Sequence, residues 1–433
     1  MKRLFAIIAL AAVAAGCVTE DGDASNAIVA LEAGQDDVAV KWAEDLATDS
    51  YYSKTLGLVE AGRVNMLAGR YSQAENWFRK AVDTAVDRKE SAPKIKLGDW
   101  GNEALAGTIT DDRTREYYLQ PYEINLALQY GIITQLLNGH RDDAMADARL
   151  AVYIQNSLAE EYGEDVATQG TGGDSTARDI YAEQSQALDD LVAATSSSWE
   201  NPVLWWLTGV MFDQNGEAEL AMASYRKAAA LCPGNPYAMG RAPDPGKSRL
   251  VVIYDQDFVS RRQSLKIPIP IYTAMSIDIP KYGDKPYVPD EVSVSGSAGE
   301  KPMSQTLNIQ SLAARDLKEK LPGVITRNVT RAATAAAAQA AVNSSGNEYA
   351  QIAVLAVNAT AMVLRRADTR SWITLPLGKQ IWSDSEMQPG EYQIGITVGG
   401  ATHHERVSLR PGKTTLIYVS RIKSRFKGGS CEL

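Results

Sequence analysis

Apolar and polar positions follow a helical period from about residue 41 to residue 240. Large, small and aromatic residues recur three and four apart, which predicts paired helices with one buried face each. The clearest pair carries Trp205, Thr208, Gly209 and Phe212, then Gly216, Ala221, Tyr225, Ala228 and a closing Pro233. A second carries Leu58, Gly62, Met66, Gly69, Tyr71, Ala74, Phe78 and Ala81, and a third Leu128, Ile132, Gly139, Ala144, Ala148 and Ala151. Small residues such as Gly209 and Ala221 let two helices approach closely, while Phe212 and Tyr225 fill the gaps between neighbouring pairs. Ala74, Ala144 and Ala221 lie 70 and 77 residues apart, with inserts around 86–120 and 157–200. An irregular stack is therefore expected, not an even superhelix.

The period changes near residue 233. Pro233, Gly234, Pro236, Gly240, Pro243, Pro245 and Gly246 punctuate the chain and end the helical part. Ser248–Tyr254 reads as a strand, and Leu265–Tyr272 as an extended segment that its prolines confine to an edge. Pro302–Gln310 alternates like a strand, and Ser311–Leu321 reads as a short helix. Val324–Val342 and Gln351–Arg366 are Ala-rich helices joined by Asn343–Gly346, expected as a hairpin packed on a sheet, with a membrane hairpin as the other reading. Trp372–Leu375, Gly390–Val398, His404–Leu409 and Lys413–Val419 read as strands, with Pro-Gly turns at 388–391 and 410–413. The expected fold class is α+β. An all-α solenoid spans 41–240, and a mixed domain spans 247–433 with a small β-sandwich-like end from about 370.

The amino terminus carries an address. Met1-Lys2-Arg3 is basic, Leu4–Ala15 is apolar, and Ala14-Ala15-Gly16-Cys17 ends in small residues and a cysteine. This resembles the lipobox of bacterial lipoproteins. The resemblance implies a signal peptide over 1–16, cleavage after Gly16 and acylation of Cys17, with Ala14 where Leu is more usual. Several acyl chains anchor a protein stably where one does not. Val18 resembles the outer-membrane sorting pattern. Residues 17–40 are expected to form the lipidated cysteine and a tether, and the location is the outer membrane, facing the periplasm.

The helical pairs resemble tetratricopeptide repeats, which implies a scaffold whose concave faces bind peptides or partner domains. With the lipobox, the VVIYDQDFVSRRQSLKIPIPIY stretch and the ADTRSW string at 367–372, most of the mature chain resembles a family of bacterial outer-membrane lipoproteins with such repeats. That resemblance implies fold and location and brings no established reaction. Within the string, Asp368 and Arg370 read as a pin between helix and sheet beside a packed Trp372, or as a recognition spot with an aromatic anchor.

Composition narrows the chemistry. The 433 residues carry 44 Lys+Arg against 53 Asp+Glu, a net charge of −9, and no basic domain. Nucleic-acid binding is therefore excluded as a leading reading. Three histidines and three cysteines leave little for a metal centre. No HExxH, GxSxG or clustered Cys/His set is present, and no cofactor motif. His403 and His404 are adjacent in a strand and point to opposite faces. Residues 168–177, TQGTGGDSTA, lack the Lys-Ser/Thr of a phosphate loop and read as a flexible insert. Cys232 and Cys431 sit in different expected domains and are read as unpaired. Arg421, Lys423, Arg425 and Lys427 alternate, which puts all four on one side of an extended strand as a solvated edge, or as a contact for anionic lipid or an acidic partner. The function expected is a non-catalytic, lipid-anchored adaptor that binds another envelope protein through the helical groove or the β domain. Activation of a peptidoglycan synthase is the alternative, by fold-level analogy, and polysaccharide export or surface exposure comes third.

Overall fold

The computed structural model describes residues 23–51, 53–91, 116–165, 175–269, 276–283, 287–296, 299–344 and 367–433. Gly16, Cys17 and the second Ala-rich helix at 351–366 lie outside them. The helical half opens with a helix over residues 23–33 (α1). Then come α2 (Asp36–Asp49), α3 (Lys54–Leu67), α4 (Tyr71–Ser91), α5 (Pro121–Leu137) and α6 (Arg141–Asp165). α7 (Ser175–Gln186) and the single turn α8 (Asp189–Val192) precede α9 (Pro202–Gln214) and α10 (Ala218–Leu231).

Four helix pairs turn through the same local geometry. Gly34, Gly69, Gly139 and Gly216 have φ of 78°, 75°, 80° and 78°. Each glycine N–H reaches the carbonyl three residues back, and the next N–H reaches five back, as in Gly69→Met66 at 3.1 Å and Arg70→Asn65 at 2.8 Å. This bonding closes a helix end, and glycine adopts the required left-handed conformation without a Cβ penalty. Gly139 therefore serves the turn: a Cβ there would meet nothing within 4 Å, so it is not the packing seat that its spacing suggests. Gly62 and Gly209 are seats, because a Cβ would lie 2.7 Å from the Phe78 ring and 2.6 Å from the Tyr225 ring.

The pair α1–α2 replaces the expected tether. Ala27, Ala30 and Leu31 of α1 are buried, a short apolar stripe that the preceding acidic run obscures in the sequence. Gly34 and Gly69 are 35 residues apart, so this pair stands one repeat length before α3–α4.

The first helix of each later pair is covered on all sides. Every residue from Thr55 to Leu67 in α3, and from Pro202 to Phe212 in α9, is buried. The second helices bury one stripe only, such as Ala221, Ser224, Tyr225 and Ala228 in α10. A helix apolar or small all round belongs in an interior layer, and an amphipathic one belongs outside.

A sheet supplies the cover. Its strands are β1 (Ser248–Gln256), then β2 (Gln263–Pro268) and β3 (Ser276–Lys281) as a separate ribbon, β4 (Val292–Gly296), β5 (Gly299–Pro302) and β6 (Ser304–Asn308). After α11 (Ile309–Ser344) come β7 (Gly378–Met387), β8 (Gly390–Val398), β9 (Ala401–Leu409), β10 (Thr414–Ile422) and β11 (Arg425–Glu432). Five strands form one sheet in the order β11-β10-β1-β7-β6, and four form another, β5-β4-β8-β9. β1 is parallel to β10 and antiparallel to β7. Its residues alternate. Leu250, Val252 and Tyr254 join Trp382, Ile394, Ile396, Ile417 and Val419 in the core between the sheets. Val251 and Ile253 join Ile381, Leu416 and Tyr418 in the core shared with the helices. A strand buried on both faces reads as a continuous apolar run, which is what Ser248–Tyr254 shows.

Three expectations are corrected here. The end from about 370 is not a unit of its own, because β7 and β10 flank β1, and β8 pairs with β4. Trp372–Leu375 is a buried turn and not a strand. Ser311–Leu321 and Val324–Val342 are one helix, α11, with Pro322 inside. Proline there forfeits a helical hydrogen bond, but the buried stripe Leu317, Leu321, Ile325, Val329 and Ala332 keeps its phase across it, and that burial holds the helix continuous. Finally, α7 and α8, in the insert around 157–200, pack against α11.

Candidate functional site

The densest chemistry lies where the inner helices meet the five-stranded sheet. α3 places Glu60 and Arg63 three residues apart on its sheet-facing side, and α5 contributes Glu123 and Tyr130. β1, β7 and β10 contribute Asp255, Lys379, Tyr418 and Ser420 by strand alternation. Arg63 Nη2 donates to Asp255 Oδ2 at 3.0 Å and to Ser420 Oγ at 3.2 Å, and Nη1 donates to Tyr418 Oη. Lys379 Nζ donates to Asp255 Oδ1 at 2.6 Å and to Tyr130 Oη at 2.7 Å. Tyr130 and Tyr418 donate to Asp255 Oδ2 at 2.8 and 2.6 Å. The Tyr130 ring has the Arg63 guanidinium 4.4 Å and the Lys379 ammonium 4.1 Å from its centre.

Burial alone would push the Asp255 carboxyl up, yet the Lys379 and Arg63 charges hold it below its usual range. Burial, with Arg63 nearby, lowers the Lys379 ammonium to about 8 against the pull of Asp255. Two cations thus share one carboxylate, with both Lys379 and Asp255 fully buried.

Beside this cluster, two more carboxyl groups hold a loop. Glu60 accepts from Ile373 N at 2.7 Å and from Thr374 Oγ1 at 2.5 Å. Glu123 accepts from Trp372 N at 3.3 Å and from Tyr117 Oη at 2.8 Å. Burial raises Glu60 to about 8, against those bonds, and raises Glu123 as well. The buried loop 371–375 thereby has backbone donors satisfied by side chains. Trp372 is fully buried between Phe78 and Tyr130, at ring distances of 6.3 and 6.0 Å, so it is not an exposed recognition anchor. Arg370 pairs with Asp368 through two bonds of 2.8 Å within the loop itself.

Arg249 at the start of β1 makes a second clasp. It donates to Asp213 Oδ2 at 2.9 Å, Tyr225 Oη at 3.0 Å, Val210 O at 3.0 Å and Thr414 Oγ1 at 2.9 Å. Tyr225, expected only to fill space between repeats, therefore also bonds the sheet.

The basic run is corrected. Arg421 ends on β10, Lys423 lies in the turn with φ 53°, and Arg425 and Lys427 are on β11. They are not one side of one strand, because the chain reverses between them. Arg421 pairs with Asp257 and Asp290, Lys423 with Glu32 and Lys427 with Asp36, while Arg425 reaches Ala33 O at 3.3 Å. Lys423, Arg425 and Lys427 fasten α1–α2 to the β10–β11 hairpin, while Arg421 ties β10 to the segments after β1 and before β4.

Two further features are open to solvent. A groove of about 300 Å³ on the outer helical face is floored by Trp205 and Phe212 and walled by Val152, Leu220 and Lys227. Arg149 at its rim is held by Glu217 at 2.8 and 2.9 Å. Glu75, His140 and Asp143 have ligand-type atoms within 4.8 Å of one another. Arg79 donates to Glu75 at 2.9 Å and to Asp143 at 3.1 Å, so a guanidinium already holds the cation's place. Ala74, Ala144 and Ala221 are fully buried at helix contacts, and Pro233 follows α10 in a turn. Cys232 and Cys431 are free, with thiols pushed by burial up to about 11 and about 12.

The central cluster was not read from the sequence, because its members span Glu60 to Ser420 without local spacing. The one local signal was an acid and an arginine, Glu60 and Arg63, inside a helix whose remaining buried positions are mostly apolar or small. Chemically, the sealed cluster can fix the helices on the sheet, and its ammonium and carboxylate are enclosed by protein. Among the described residues no helix is long and apolar enough to cross a membrane. Comparison with protein-family models, curated proteins and solved structures finds no match to this chain.

Proposed function

We propose that the protein is a lipid-anchored, non-catalytic adaptor of the bacterial cell envelope. The observation that carries the reading is the run from Leu4 to Cys17, with its basic start and small residues before the cysteine. The glycine-turned helix pairs support a tetratricopeptide-like stack. In such a stack the inner helices would line a peptide groove. Here Arg63, Tyr130 and Arg249 bind those helices to the chain's own sheet. The partner surface therefore moves to the outside of α6 and α10, where the Trp205–Phe212 groove lies. A tether raises local concentration, so modest affinity at such a surface suffices.

The test is processing and fractionation. With Cys17 intact, the chain takes up labelled palmitate and sediments with outer membranes, and globomycin delays its maturation. A Cys17→Ser chain that still fractionates with membranes refutes the anchor. Crosslinking in cells from Leu220 or Lys227, compared with a site on β9, then reports whether the outer helical face meets a partner.

A further inference from the structure

The chain from Cys17 to Asp23, the first described residue of α1, advances six residues. Six residues reach ~20 Å at full extension. Ser25, in the first turn of α1, accepts a hydrogen bond from Arg261. Arg261 stands two residues before β2, whose Gln263, Ser264 and Lys266 face solvent. The start of α1 and the base of the β2–β3 ribbon are therefore one surface. The opposite end of the helix stack is α10, three pairs further on. Packed helices are 8–10 Å apart, so three pairs set α10 on the order of 25 Å along the stack from α1.

Resting on the anchored reading of Cys17, we infer that the face formed by the first turn of α1, Arg261 and β2 lies against the lipid headgroups. The outer groove beside Lys227 is then carried at the far end of the stack. The short link keeps this face the nearest to the bilayer, so it needs little intrinsic affinity for lipid. α1 also cannot swing free to lengthen the tether, because Lys423 and Arg425 hold its far end at Glu32 and Ala33.

The experiment uses the acylated full chain in vesicles of phosphatidylethanolamine and phosphatidylglycerol. Cys232 and Cys431 are changed to Ser, and a bimane is placed on Lys266→Cys or, separately, on Lys227→Cys. Lipids with a nitroxide headgroup should quench position 266 at least threefold more than position 227. Equal quenching, or more at 227, overturns the orientation. Amine footprinting of the unsubstituted chain gives a second reading that no folding defect can blur. Lys266 should react severalfold more slowly on vesicles than in the soluble Cys17→Ser form, with Lys227 unchanged. An unchanged Lys266 rate overturns it too. The mass of the amino-terminal peptide separates the two layers. A missing lipid mass refutes the anchor and this orientation with it, whereas lipid present with a reversed pattern refutes the orientation alone.

Discussion

The two faces of the five-stranded sheet are built from the same strands, and one of them adds an ion cluster to its apolar positions. Between the sheets, Leu250, Val252, Trp382, Ile417 and Val419 make a core of side chains that carry few polar atoms. Toward the helices, the alternate positions hold Asp255, Lys379, Tyr418 and Ser420, tied to Arg63 and Tyr130. An apolar core tolerates small shifts, because hydrophobic attraction has no direction. A buried ion cluster does not, because each unpaired charge is expensive. The contrast teaches that the sheets are held together by area and that the helical layer is held in register by specific bonds.

The largest test of that contrast is Asp255→Ala. It leaves Arg63 and Lys379 buried without their carboxylate and should destabilise by about 3–5 kcal/mol in urea unfolding. A loss under ~1 kcal/mol would show that the cluster does not hold the layers. Next comes Gly209→Ala, which drives a methyl into the Tyr225 ring and should cost about 1–3 kcal/mol by overpacking. On the apolar face, Ile417→Val removes one methylene and should cost about 0.5–1.5 kcal/mol, without altering which surfaces meet.

pH sharpens the same comparison. Glu60 has its folded value raised from 4.5 to about 8. Between those values the folded chain keeps a proton that the unfolded chain has lost, so stability falls as pH rises through that window. Lys379 is lowered from 10.5 to about 8. Above 8 the unfolded chain binds the extra proton, so this group's contribution rises with pH up to 10.5. Glu60→Gln should make the first slope shallower, seen as a denaturation midpoint that drops less between pH 5 and pH 8, while the raised Glu123 keeps the rest. A slope unchanged by the substitution would assign the dependence elsewhere. The smallest effect belongs to Lys423→Gln at the exposed pair with Glu32, expected at about 0.2–1 kcal/mol and reduced by salt. A larger, salt-independent loss would mean that the α1–α2 fastening is more than a surface contact.

How legible these faces were follows from locality. β1 and β8 were readable because burial on one or both sides leaves a pattern within nine residues. The second helices were readable from Ala74, Ala144 and Ala221, which repeat at helix contacts. β11 was not, since RFKGGSCE lacks β-branched residues and owes its extension to pairing with β10. The four cations from Arg421 to Lys427 were assigned to one face because their alternation is also what a strand shows, and only the turn at Lys423 reveals the reversal. The sealed cluster was invisible because Arg63, Asp255, Lys379 and Tyr418 become neighbours only after both halves have folded.

The parallel pairing of β1 with β10 carries a consequence for biogenesis. Arg249 meets Thr414, so the middle of the main sheet waits for a strand that lies far along the chain. Parallel pairing over such a separation is slow to form. Until β10 arrives, β1 keeps one bare edge, which is an aggregation hazard, and a product truncated after β9 is a natural target for proteases and chaperones.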